Sequence, residues 1–305
     1  MTDVCMVIGA GAGIGGHVAK RFAREGYHAA LCRRSDQVGL DKMVAEIEAS
    51  GGSASGHLLN AVEDGTIEDA IERIEAEAGP IRTLVYNLGA QVGNRPLADT
   101  HHKMFEMGWR LGTYGLFRAA KVLMPLMEAR GGGTFLVTSA TAAVRGNAGQ
   151  HSHAAAMAGR RMLCQTLNAE FAPKNIHVAH ILIDSAVNAP DTLGKMLGAD
   201  RFAKLQEARA NGKDEIMEPS AIADTYYHIA HQHRSAWTFE LDMRAFTDTA
   251  WWNHPAPRCG DQASARTRMS FSDGRSASPR KLPTPTWIAR SPAGQISGRP
   301  CANSR

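Results

Sequence analysis

The chain has 305 residues, 44% of them hydrophobic, with five cysteines and a formal net charge of +4. That length and apolar content suit one α/β domain with a substantial core, and the odd, scattered cysteines (Cys5, Cys32, Cys164, Cys259, Cys301) fit neither a disulfide framework nor a zinc or redox pair. With no apolar run of about 18 residues and a glycine-broken N-terminus that carries Asp3 ahead of its apolar run, neither a membrane span nor a signal peptide is expected, and a reducing cytoplasm is the expected compartment.

In chain order, short apolar runs at Val4–Ile8, Ala29–Cys32, Ser55–Leu59, Thr83–Tyr86, Thr134–Thr138, His177–Ile183 and Trp237–Leu241 read as strands. Helical patterns fall between them at Gly15–Glu25, Leu40–Ser50, Ile67–Glu77, Lys103–Ala129, Ser152–Phe171 and Ser220–His231. The alternation predicts a doubly wound, mostly parallel, Rossmann-type sheet in one α/β domain over residues 1–250. A polar, helical excursion at residues 190–219 follows the sixth strand; an insertion there lies beyond a carboxyl end, and it reads either as a cap over a substrate or as a plain pair of surface helices. Residues 255–305 carry nine Lys/Arg against two Asp/Glu and seven of the thirteen prolines, leaving a net −3 on the residues before them. This basic, Pro/Ser/Arg-rich tail has no apolar period and is expected to be disordered. It shows no aromatic-and-basic pattern for nucleic acid.

The first strand runs into Gly9-Ala-Gly-Ala-Gly13-Ile14-Gly15 and then a helix. Glycines there let backbone N–H groups approach a pyrophosphate, and the helix N-terminus adds partial positive charge. Gly11, Gly13 and Gly16 fit an alternative register, but the strand's end at Ile8 favours Gly9, Gly13 and Gly15. At the end of the second strand, Arg33 and Arg34 stand where an acidic residue would hold a ribose hydroxyl. Two guanidiniums suit a 2′-phosphate, so NADP(H) is expected in preference to NAD(H).

The order of these features resembles the short-chain dehydrogenase/reductase family over residues 3–245. The family's glycine motif T-G-x-x-x-G-I-G appears with Ile8 in place of the threonine. Its N-N-A-G appears as Tyr86-Asn87-Leu88-Gly89, and Asn60 takes the place of an aspartate beside the adenine. The resemblance implies an oxidoreductase acting on a carbonyl or alcohol, a homodimer or homotetramer, and a catalytic Ser, Tyr, Lys and Asn. In this register those four positions hold Ala140, His153, Met157 and Gly112.

Two readings follow. In the first, His153 is the acid/base, since an imidazole exchanges protons at neutral pH without a lysine; Ser139, Thr141 or His151 orients the substrate oxygen, and Asp184 pairs with the histidine. In the second, the dinucleotide binds without hydride transfer, as in a sensor or scaffold. No metal is expected: His228, His231 and His233 lack a completing carboxylate or cysteine.

Overall fold

The computed structural model describes residues 2–89, 94–212 and 216–253; the predicted tail lies outside them. Seven strands form one sheet: β1 (Val4–Ile8), β2 (His28–Arg33), β3 (Ser53–Leu58), β4 (Ile81–Tyr86), β5 (Gly133–Ala140), β6 (Ile176–Ile183) and β7 (Glu240–Met243). Their order is β3-β2-β1-β4-β5-β6-β7, every pairing parallel. The central strands read as unbroken apolar runs because helices cover both of their faces; all five residues of β1 are buried. The edge strand β3, with sequence SASGHL, is polar and largely open.

Two apolar layers flank the sheet. Helices α1 (Ile14–Arg24), α2 (Gln37–Ala49) and α9 (Pro219–Ala230) close one through Val18, Phe22, Leu40 and Tyr226. On the other face α3 (Thr66–Glu77), α5 (Gly115–Ala129) and α6 (His151–Phe171) pack Ile71, Ile74, Leu123 and Cys164 against the strands. The doubly wound expectation holds.

Three local expectations change. The helix expected over Lys103–Ala129 is two helices, α4 (His102–Trp109) and α5, joined by a π-type turn at Arg110–Tyr114. Its cause is external capture of carbonyls. The Tyr86 hydroxyl donates to Leu111 O at 2.7 Å, and Arg160 Nε donates to Gly112 O at 2.5 Å. Such insertions concentrate at functional sites. The last strand begins at Glu240 rather than Trp237, because Trp237 stacks flat on His177 at 4.7 Å and donates its indole N–H to Gln232 O. Helix α2 starts three residues early: Asp36, in a left-handed conformation with φ 73°, accepts the Gly39 N–H at 2.9 Å and caps it. The excursion after β6 contains a π-type turn at Pro190–Gly194, α7 (Lys195–Leu197) and α8 (Ala199–Ala210). Among the described residues no helix is long and apolar enough to cross a membrane.

Candidate active site

The strand order reverses between β1 and β4, and in open parallel sheets a crevice opens outside the carboxyl ends at such a point. A cavity of 530 Å³ lies there, its walls drawn from the glycine turn after β1, the segment after β4, the end of β5, and α6. A larger hollow of 820 Å³ lies elsewhere, beside β7 and Trp251, and touches neither the glycine turn nor His153.

The glycine turn is enforced by packing. Gly9 has φ +96°, and a Cβ there would meet Asn87 O at 2.9 Å; a Cβ on Gly15 would overlap the Gly9 carbonyl. A Cβ on Gly16 would likewise come within 2.6 Å of Gly11 O, so glycines of both registers are held by close backbone contact. Gly13 precedes α1 with no side chain capping the helix, and Ile14 and Gly15 line the cavity. The open amides and helix dipole suit an anionic group there. Asn87 braces the turn from behind, donating Nδ2 to Gly9 O at 3.0 Å while its N–H reaches Ile8 O at 2.9 Å. Gly89 also lines the cavity.

The two arginines separate. Arg33 lines the cavity and its Nη2 sits 3.0 Å from Asp36 Oδ2, whereas Arg34 points to solvent outside the lining. Alternation along the strand end sends neighbouring side chains to opposite sides. Asn60 is likewise outside the lining and donates to Glu63 Oε1 at 2.6 Å.

At the inner end stand Ser139, Ala140, His153 and Met157. His153 is 8% exposed and Met157 2%, one turn apart on α6. The Ser139 hydroxyl donates to the Met157 thioether at 3.9 Å, a weak acceptor. Thr141 and His151 stand outside the lining, since β5 ends at Ala140 and Thr141 begins a 3-10 turn at Thr141–Ala143. Asp184 does not pair with the histidine: its Oδ2 accepts from Arg244 Nε and from Trp251 N–H, each at 3.0 Å. His231 is engaged by Tyr227 O and the Tyr27 hydroxyl, and among the described residues no three potential ligands gather round a metal position.

Two charged lining residues, Asp36 and Arg160, belong to no segment that the sequence assigns to the site, whereas Asp191 and Lys195 fall within the excursion at 190–219. Arg160 is the more consequential. It is 1% exposed, donates through Nε to Gly112 O, through Nη1 to Thr138 O and through Nη2 to Leu88 O at 2.7 Å, and lies 5.2 Å from the centre of the Tyr86 ring. Burial lowers its pKa, but arginine stays protonated. A signal existed: on the inward stripe of α6, Ala156, Met157, Arg160 and Cys164, one residue is charged.

A parallel sheet with a glycine turn, a bare helix N-terminus and a crevice at the reversal of strand order defines a Rossmann-type α/β protein. The short chain dehydrogenase family model matches residues 3–187, so the chain belongs to that family. It is 30% identical over 231 residues to the short-chain reductase protein NovJ of Streptomyces niveus, covering 75% of this chain and 87% of that protein. The 7alpha-hydroxysteroid dehydrogenase of Escherichia coli is 28% identical over 230 residues, 71% of this chain and 88% of its own length. A crystal structure of a short-chain dehydrogenase from Rhodopseudomonas palustris superposes with a TM-score of 0.67 at 32% identity, over 80% of this chain and 99% of that one.

Proposed function

We propose that the chain is an oxidoreductase that takes NADP(H) in preference to NAD(H) and interconverts a carbonyl and an alcohol, with His153 as the proton donor and acceptor. One observation carries the reading: a buried imidazole shares a cavity with the glycine turn at the reversal of strand order. The nicotinamide, when bound, supplies or takes the hydride. The α1 amides and Gly9–Gly15 would hold the pyrophosphate, and Arg33 would offer its remaining N–H donors to a 2′-phosphate. A 2′-hydroxyl would instead donate to Asp36, so NAD(H) is the cofactor the other member of that pair favours. His153 would exchange the proton with the substrate oxygen, with the Ser139 hydroxyl turning from Met157 to orient that oxygen. Asp191 and Lys195 line the outer wall, which supports residues 190–219 as a cap over a small-molecule substrate.

Ala140 and Met157 favour the rival reading, a dinucleotide-binding sensor or scaffold without catalysis. Calorimetric titration with NADPH and NADH, followed by NADPH oxidation against a panel of carbonyl compounds, separates the two. We expect tighter NADPH binding and turnover that falls by about 100-fold in His153→Ala, the span of general acid–base catalysis. Tight binding without turnover across the panel selects the sensor.

A homodimer or homotetramer is part of the proposal. Phe105, Trp109 and Phe117 on α4 and α5 are 43%, 42% and 45% exposed, a grouping typical of an interaction face. Light scattering is expected to give two or four chains and to shift toward one when Trp109 and Phe117 are both changed to glutamate; a monomeric wild type would contradict it. A cytoplasmic location is consistent with the buried free thiols of Cys5, Cys32 and Cys164.

A further inference from the structure

Arg160 is a fixed cation in the wall of the cavity, on the same helix as His153 and Met157. Each of its nitrogens donates to a main-chain carbonyl, in three separate segments: Leu88 after β4, Leu111 and Gly112 in the π-type turn, and Thr138 in β5. Among the described residues no carboxylate forms an ion pair with it; its guanidinium is held by main-chain carbonyls and lies beside the Tyr86 ring. The other cations of the lining differ: Arg33 is paired with Asp36, and Lys195 is exposed to water, which screens it. A desolvated positive charge without an ion-pair partner acts over several ångströms. It favours an uncharged or negative neighbour over a positive one.

The two redox states of a nicotinamide differ in this respect, because the oxidised ring is a pyridinium cation and the reduced ring is neutral. We propose that Arg160 makes the cavity discriminate between the redox states of its cofactor, holding the reduced form and releasing the oxidised one. The inference rests on the reading that a nicotinamide dinucleotide occupies this cavity with its ring toward His153 and Met157. It assigns to Arg160, a full turn beyond the family's lysine position, an electrostatic influence that Met157 cannot exert. A tenfold preference for the reduced form raises the potential of the bound two-electron couple by about 30 mV.

The test is titration of NADPH and NADP⁺ against wild type, Arg160→Lys and Arg160→Gln, by calorimetry and by the fluorescence of the reduced ring. Glutamine keeps amide donors for the carbonyls and loses the charge; lysine keeps the charge and loses the planar fork. We expect wild type to bind NADPH about tenfold more tightly than NADP⁺, an order set by one unscreened charge near the ring. Arg160→Lys should retain most of that ratio. Arg160→Gln should bring it toward one, chiefly by tighter NADP⁺ binding. A purely structural arginine would weaken both forms alike and leave the ratio unchanged, which overturns the inference, as does a wild type with equal affinities. If wild type binds neither dinucleotide, the cofactor reading itself falls; equal, tight binding of both removes only the role of Arg160. Should the glutamine variant fail to fold, a lysine variant with an equalised ratio would refute the proposal by itself.

Discussion

Alanine at Gly15 is expected to destabilise the protein by about 3 kcal/mol, within the range for a severe clash against rigid backbone, whereas alanine at Gly11 should leave stability within about 0.5 kcal/mol of wild type. The difference lies in what each new methyl meets. At Gly15 it would overlap the carbonyl oxygen of Gly9 and come within 3.0 Å of Ala10 Cα, so β1 and α1 must part. At Gly11 nothing lies within 4 Å, because the residue faces the cavity. Urea unfolding of the apo forms measures the first effect. Titration with NADPH measures the second, for the methyl at Gly11 intrudes on the space assigned to the pyrophosphate and should weaken binding at least tenfold. Equal stabilities for the two variants would show that the helix does not pack on the turn as described. Unchanged affinity in Gly11→Ala would show that the dinucleotide lies elsewhere.

The second large effect is a loss of stability in mild acid. His180 on β6 is fully buried and its Nδ1 lies 2.9 Å from Glu240 Oε2; Nε2 is buried without a partner among the described groups. Burial outweighs the attraction of Glu240, and with Arg160 and Arg161 nearby the pKa falls from 6.5 to about 4. The folded state therefore binds this proton less readily than the unfolded chain. Its stabilising contribution is complete above pH 6.5 and is lost as the pH falls from there toward 4. At about 1.4 kcal/mol per unit, the interval is worth about 3 kcal/mol. Burial shifts His28, His57 and His177 in the same direction. Urea midpoints between pH 7 and pH 4.5 should drop steeply in wild type and less steeply in His180→Leu, where Glu240 keeps its two hydrogen bonds from Arg161. A flat wild-type profile would show that the histidine is not neutral in the fold.

The architecture was legible because it rests on periodicity. Buried strands such as Val4–Ile8 announce themselves as apolar runs between helical patterns, and five of the expected strands end within one residue of the observed ones. The glycine turn was legible for a similar reason: a strand, a close approach and a helix must follow one another locally. The rest of the site was less so, since it depends on which side chains converge from distant segments. Thr141 and Arg34 are adjacent in sequence to lining residues and still do not line the cavity. Arg160 is not readily legible in the sequence because a charged residue on a helix normally points to water; only assembly of β4, β5 and the π-type turn around it provides the carbonyls that make burial tolerable. Reading the charged member of an apolar stripe as an exception requiring partners would have found it.

The partners of that guanidinium also constrain the order of assembly. They lie 72, 48 and 22 residues away along the chain, and an ion stripped of water without them costs several kcal/mol. Any partly folded species that docks α6 before β4 and the π-type turn have arrived must leave Arg160 wet or bear that cost. Late seating of α6 on the folding path is the expected consequence, and mutations at Arg160 should then speed unfolding more than they slow folding.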